Sequence, residues 1–470
     1  MKWQRSGILL LGPGWLLLAQ ALPLPGLMPA MTGVVLWMLT WWVTTVVPIG
    51  VTALLPMVLY PLLGIASLAE TTANYAHPII YLFFGGFVIG LAIQKWNLHR
   101  RIALQILRLS GAGLRRVVLG AMAATFLLSM WISNTSTTVM MLPIGLSIVQ
   151  LLEGQFAPAT AQKLATALLL GIAYSANVGG MATLIGTPPN LVLASLMEDH
   201  GGFSFDFTSW LLLALPLALI LFGIIYLLLT RFFFPLGRER SEELKRLLEA
   251  QLRKLGRLQA GEKRVLLVLS TTATLWIFRR PLQEVLPILS PLSDPLIAVS
   301  AAIALFIIST PSKEGRRPLL QWPDMKELPW GILLLFGGGL SLADGLERSQ
   351  IVKEVGHWIS AGHYPHLFLV ILLITAFSLL LTEVMSNVAL VSVFIPVALV
   401  IAPQLQLPTA QLSVPLTLAA SCAFMFPIST PPNAVVYSSQ HISMRQMAGV
   451  GFLLNLLAIG AIALYTWWFV

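Results

Sequence analysis

The chain has 470 residues, 57% of them hydrophobic and only 10% charged, against about 25% charged in an ordinary soluble domain. A mean hydropathy of +0.85 excludes a soluble globular or disordered protein and predicts one that crosses a membrane many times. The formal charge of +9 is concentrated in one central segment, and the single cysteine, Cys422, excludes an intrachain disulfide.

In chain order, Lys2 and Arg5 precede an apolar stretch that ends in Pro23-Leu24-Pro25-Gly26. Ala19-Gln20-Ala21 has the form of a leader-cleavage site, but a first helix that stays in place is the preferred expectation for a polytopic chain. Further apolar runs cover Met31 to Val47, Ile79 to Ile93, Ala165 to Ile185, Trp210 to Leu229, Val265 to Ile277, Pro295 to Ile308, Leu367 to Leu381 and Phe452 to Val470. Several approach the roughly 20 residues a span needs and others are short or broken, so about ten to twelve spans or half-spans are expected.

Arg231 to Arg264 holds ten Lys/Arg against five Asp/Glu, which places it in the cytoplasm. Leu244, Leu247, Leu248, Leu252 and Leu255 fall at helical spacing, the pattern of an amphipathic helix. A connector between two membrane bundles explains this segment better than a nucleic-acid patch. The expected organisation is a first membrane repeat over 1–230, a basic linker over 231–264 and a second repeat over 265–470.

Two polar phrases occur twice. Ser133-Asn134-Thr135 precedes Gly186-Thr187-Pro188-Pro189-Asn190, and Ser386-Asn387-Val388 precedes Ser429-Thr430-Pro431-Pro432-Asn433. Phe84-Gly85-Gly86 stands 252 residues before Phe336-Gly337-Gly338, Ser133 and Pro143 stand 253 before Ser386 and Pro396, and Thr187 stands 243 before Thr430. Landmarks in one order over two halves indicate a structural duplication.

Each phrase interrupts apolar sequence. Non-helical chain survives at membrane depth only when buried in protein or lining a polar cavity, because an unpaired backbone group there costs several kcal/mol. The run SMWISNTSTTVMMLP fits a hairpin tip better than a continuous span. Ser, Asn and Thr cap helix N-termini, where free N–H groups and the dipole favour anions. Their oxygens, with freed carbonyls, equally ligate a hard cation such as sodium, and in the plainest case they only cap a turn or join helices. The paired prolines remove N–H donors and forbid continuation of a preceding helix, while Gly179, Gly180 and Gly186 permit close backbone approach.

These residues carry a resemblance. The two Ser-Asn motifs, the two Thr-Pro-Pro-Asn motifs and LLLFGGGLSLADGL are similar to the divalent anion:sodium symporter family over nearly the whole chain. The resemblance implies an all-α, homodimeric, elevator-type transporter of about 11 transmembrane helices, with inverted repeats, re-entrant hairpins and broken helices, in the inner (plasma) membrane. It implies one sodium at Ser129, Ser133, Asn134 and Gly186 and a second at Thr382, Ser386, Asn387 and Ser429. Substrate carboxylates are expected at Asn134, Thr135, Thr187, Asn387 and Thr430, with Val388 at the position where some relatives carry a hydroxyl.

The electrostatics agree, since no Lys or Arg lies in either tip or either Pro-Pro break. A dianion then depends on bound sodium and helix N-termini for compensation. Glu383 is the one acid close to a motif and is either a proton carrier or a structural acceptor. His363 and His366 are read as part of an interfacial loop near Trp358 rather than a metal site. No H-E-x-x-H, phosphate-binding loop or nucleophile elbow occurs, so neither an enzyme nor a cofactor beyond coupling sodium is expected. The expected activity is sodium-coupled import of a C4-dicarboxylate. The alternatives are exchange without net sodium coupling, a citrate or sulfate carrier, a cation/proton antiporter or arsenite-type carrier, and a lipid-modifying membrane enzyme.

Overall fold

The structure, a computed structural model, describes residues 2–200, 203–237, 239–312, 315–351, 354 and 366–470. Trp358 and His363 lie outside the described residues. Among those described, seven helices are long and apolar enough to cross a membrane, and five shorter apolar helices accompany them.

The first half opens with α1 (Lys2–Gln20) and α2 (Met28–Thr44). They run antiparallel, joined where Trp15 Nε1 donates to Thr40 Oγ1 at 2.9 Å. Short helices α3 (Ile49–Thr52), α4 (Leu55–Leu63) and α5 (Leu68–Ala73) lead into the span α6 (Pro78–Lys95) and then α7 (Leu98–Ser110). Helices α8 (Leu114–Ser129) and α9 (Asn134–Glu153) form a hairpin, α10 (Pro158–Met181) and α11 (Pro188–His200) are two pieces of one broken rod, and α12 (Phe207–Leu227) closes the half. A π-helical turn, Leu228–Phe233, extends α12.

The linker helix α13 (Glu242–Leu255) forms where the leucine spacing predicts it. Its Leu244 and Leu248 are buried, packed towards α7, so the apolar face lies on protein. In the second half, α14 (Ala260–Val285) and α15 (Asp294–Ile307) precede an antiparallel hairpin, β1 (Ser309–Ser312) with β2 (Gly315–Pro318). This pair is an addition to the all-helical expectation, turned at Gly315, whose φ of +117° suits glycine. Helix α16 (Trp330–Arg348) follows, then a second hairpin of α17 (Leu367–Thr382) and α18 (Asn387–Gln404), a second broken rod of α19 (Thr409–Ala420) and α20 (Pro431–Tyr437), and α21 (Met444–Phe469).

The two hairpins open at opposite ends of the molecule. At the first, Leu114 N donates to Glu239 O at 3.1 Å and Ser241 Oγ donates to Gln155 Oε1 at 2.6 Å, so the start of α8 and the end of α9 share the linker face. The start of α21 lies at that face too, where Gln162 Nε2 donates to His441 O at 2.9 Å. Its 26 residues carry the chain about 39 Å at 1.5 Å per residue, and there Trp467 meets Phe368, at the start of α17, with ring centroids 5.5 Å apart. Val370 near that start and Leu405 after α18 pack on one cluster of Ala398, Ala402 and Leu412. The second hairpin therefore opens away from the linker face.

Candidate functional site

Each hairpin turns just before its Asn, so the polar phrase opens the returning helix. Ser133 is the N-cap of α9; its Oγ accepts from Ser136 N at 3.3 Å and donates to Ser136 Oγ at 2.9 Å. Ser386 is the N-cap of α18 without a side-chain cap bond, and residue 389, the counterpart of Ser136, is alanine and offers no hydroxyl to it. Asn134 and Asn387 thus occupy the first helical position of α9 and α18.

Behind each tip lies the same group of oxygens. Ser129 Oγ is 2.7 Å from both Asn134 Oδ1 and Ala176 O. Thr382 Oγ1 is 2.8 Å from both Asn387 Oδ1 and Ala420 O. A hydroxyl has one proton to donate, so each trio places three oxygens around a single hydrogen. That donor set suits a hard cation. The carbonyls of Ala176 and Ala420 were not legible from sequence, since an alanine in an apolar helix carries no signal for its backbone oxygen.

The breaks lie upstream of the prolines. Helix α10 ends at Met181 and α19 at Ala420, whereas Pro188 and Pro431 begin the next helices, where a missing N–H is harmless and the fixed φ suits a helix. The Asn that follows each proline pair stitches the gap. Asn190 Nδ2 lies 3.4, 3.2 and 2.7 Å from the carbonyls of Gly180, Met181 and Thr183, and Asn433 Nδ2 is 3.1 Å from those of Ala423 and Phe426. Both residues stood in the motif; their positioning role did not. Gly180 is required because a Cβ there would run into the Asn134 amide, and Gly186 because a Cβ would strike the Gly180 carbonyl.

The two halves meet at these gaps. From α10, Tyr174 Oη donates to Phe424 O at 2.8 Å, and Asn177 Nδ2 reaches Thr430 Oγ1 at 3.2 Å and Ala423 O at 3.4 Å. Thr430 Oγ1 also accepts from Asn433 N at 3.4 Å. Thr187 and Thr430 are both buried, Thr135 is exposed at its tip, and Asn134, Asn387 and Val388 are half-buried. Ser429 Oγ donates to Phe426 O at 2.5 Å, which directs it into its own turn. Gly186 packs on the Gly180 backbone, and Gly180 on the Asn134 amide of the first trio. The hydroxyls of Thr137, Ser175, Ser392 and Ser421 and the amide oxygens of Asn190 and Asn433 are buried without a hydrogen-bond partner. Such groups cost about 1–3 kcal/mol each when unsatisfied.

Glu383 is 2% exposed and follows Thr382 in the second turn. Its Oε1 accepts from Phe424 N at 2.8 Å, Met425 N at 3.0 Å and Asn455 Nδ2 at 2.7 Å, and its Oε2 from Phe426 N at 3.3 Å. A carboxylate so bonded fills the concavity made by three successive N–H groups. At the first tip the corresponding residue is Met130. There Thr183 Oγ1 donates to Met130 O at 2.6 Å and Trp210 Nε1 to Met181 O at 3.1 Å. A cavity of ≈ 60 Å³ beside this tip is lined by Gly86, Gly90, Gln94, Ser133, Ser136 and Glu327, among others. Its far wall belongs to the linker face, since Glu327 follows Asp324, which pairs with Lys95 at 2.5 Å, and the neighbouring Trp96 packs on Gly261.

Residues 3–470 match the family model described as the sodium:sulfate symporter transmembrane region. The chain is 37% identical over 460 residues to the sodium-dependent dicarboxylate transporter SdcS of Staphylococcus aureus (strain USA300), covering 96% of this chain and 88% of that relative. It is 36% identical over 441 residues to SdcS of Staphylococcus saprophyticus, covering 93% and 85%. Among solved structures, the Alcanivorax borkumensis YdaH transporter is similar with a TM-score of 0.55 at 15% identity, over 84% of this chain and 86% of that one; this is a likeness of fold.

Proposed function

The chain belongs to the sodium:sulfate symporter family, and from that premise we propose that it imports a small dicarboxylate, of the succinate or malate class, together with sodium across the plasma membrane. The observation that carries this reading is the mirrored pair of oxygen trios, Ser129 Oγ with Asn134 Oδ1 and Ala176 O, and Thr382 Oγ1 with Asn387 Oδ1 and Ala420 O. In this reading each trio takes one sodium. Ser133, Gly186, Ser386 and Ser429 are placed around them through backbone groups.

The substrate lies between the tips. One carboxylate meets Asn134, Thr135 and Thr187, and the other meets Asn387 and Thr430 beside Val388. Two sodium ions and the N-terminal ends of α9 and α18 supply the positive potential, because no Lys or Arg lies in either tip or break. Coupling is then electrostatic: without cations the space between the tips is polar but neutral, and a dianion gains too little there to leave water.

Opposed hairpins give each tip access to one side of the membrane. In this reading the chain works as an inverted-repeat elevator and as a homodimer, and the opposed hairpins support the inverted relation of the two halves. Glu383 acts as the fixed acceptor that holds residues 424–426 in their non-helical path. The identities of the named relatives, the donor sets and the lack of basic residues support one reading together. The experiment is uptake of labelled succinate into proteoliposomes under a sodium gradient, with malate, citrate and sulfate as competitors. Uptake driven by sodium and displaced by malate supports the reading, while displacement by sulfate alone moves the substrate class.

A further inference from the structure

On the linker face, away from the tips, a pocket of ≈ 240 Å³ is lined by Arg108, Gly111, Ala112, Arg116, Arg240, Glu242, Lys245 and Leu248. Four cations converge there against one carboxylate. None of Arg108, Arg116, Arg240 and Lys245 makes a salt bridge among the described residues. The other basic residues of the linker are likewise without a salt bridge among the described residues, whereas Arg101 of α7 pairs with Glu262 at 2.8 Å, so it is convergence on one concavity that sets these four apart. A cytoplasmic excess of Lys and Arg needs no ligand in itself, because it sets topology. Solvated topology signals, however, spread apart to reduce repulsion, whereas these line one concavity.

The concavity is built by backbone. Leu114 N donates to Glu239 O at 3.1 Å, Ser241 N donates to Ala112 O at 3.0 Å, and Gly113 and Arg240 form an antiparallel bridge. Leu248 of α13 is buried as its floor. Arg116 lies over the Gly111 turn, whose φ of +90° suits glycine. Arg115 and Arg116 fall in the first turn of α8, where the helix dipole disfavours a cation. The local sequence thus works against helix stability in favour of positive charge at this spot, the kind of conflict that marks a functional site.

The surroundings indicate which anion. Leu109, next to Arg108, is 79% exposed, and Phe232, at the end of the α12 span, is 68% exposed and precedes Leu236, whose carbonyl accepts from Arg115 Nε of α8 at 2.5 Å. Exposed apolar side chains next in sequence to a basic pocket and at the end of a membrane span match a ligand with a charged head and hydrocarbon chains. We infer that this pocket binds the phosphate headgroup of an anionic membrane lipid, with Arg108, Arg116, Arg240 and Lys245 as its cations and Leu109 and Phe232 against its chains. Because the pocket joins the start of α8 to the linker, the lipid ties the base of the first hairpin to α13.

The test uses the full chain in phosphatidylcholine nanodiscs with and without phosphatidylglycerol, and in a third arm with inorganic phosphate in solution. The readouts are the thermal midpoint and lipid retained in native mass spectrometry. Phosphatidylglycerol should raise the wild-type midpoint by several degrees and be retained, and Arg108→Gln/Arg116→Gln/Arg240→Gln should lose both. The equally discharged control Arg246→Gln/Lys254→Gln/Lys263→Gln, outside the pocket, should keep both. If the pocket triple does not fold, Arg240→Gln alone should lower retention in the same direction. An equal response of pocket and control variants, or stabilisation by inorganic phosphate as large as by phosphatidylglycerol, overturns the assignment.

Discussion

The two broken rods solve one problem with opposite chemistry. The first gap is six residues long (182–187) and the second ten (421–430). In the short gap the loose ends are carbonyls, and donors come to them: the Asn190 amide and the Trp210 indole. In the long gap three successive N–H groups, at 424–426, also lose their partners, and Glu383 supplies the missing acceptor. Met130 stands where Glu383 would be needed if the first gap were as long. Duplicated motifs therefore preserve the oxygen trios while the scaffolding behind them diverges, and an isolated acid beside a motif can be there for the backbone.

The largest effect that would break this comparison concerns what the halves share. Asn134→Ala and Asn387→Ala should each lower sodium-driven uptake by about 10–100-fold, the loss of one charge-assisted contact of about 1.5–3 kcal/mol. Unequal effects, with one variant near wild type, would mean that one trio is idle. Next comes what they do not share. Glu383→Gln turns an acceptor oxygen into a donor facing N–H groups and should cost about 2–4 kcal/mol of stability, seen as a lower midpoint of heat-induced aggregation. The pH profile of residual uptake should stay as in wild type; a flattened profile would restore Glu383 as a proton carrier.

Smaller effects sharpen the comparison. Asn190→Ala removes an amide shared by three carbonyls and Asn433→Ala one shared by two, so both destabilise, the first by about 1 kcal/mol more, as read from thermal midpoints. The hydroxyl is the shared element behind the tips. Thr382→Ser should keep the sodium concentration for half-maximal uptake within about threefold, while Thr382→Val, which removes the oxygen, should raise it by about tenfold or more. The least change is expected of Val388→Thr, a shift of a few-fold in dicarboxylate affinity, because an added hydroxyl discriminates weakly unless it completes a hydrogen bond.

Much of this was legible in the sequence for physical reasons. Apolar run length set the spans, leucine spacing set α13, and repeated Ser-Asn and Thr-Pro-Pro-Asn phrases located the hairpin turns and the helices after the breaks. What stayed hidden depends on backbone and on packing. The oxygens of Ala176 and Ala420 have no residue-type signature. The start of each break was displaced upstream, because proline fixes where a helix begins while the preceding helix ends where Asn190 or Asn433 can reach its carbonyls. The acceptor role of Glu383 required knowing the second gap was long enough to free three N–H groups.

In the proposed reading, paired oxygen trios make dianion binding depend on sodium. The most direct measurement is uptake of labelled succinate into proteoliposomes containing the purified chain, with sodium outside replaced by potassium or choline at constant ionic strength. Accumulation only with sodium, lost in both Asn134→Ala and Asn387→Ala, is the predicted result; equal accumulation in all three salts would contradict it.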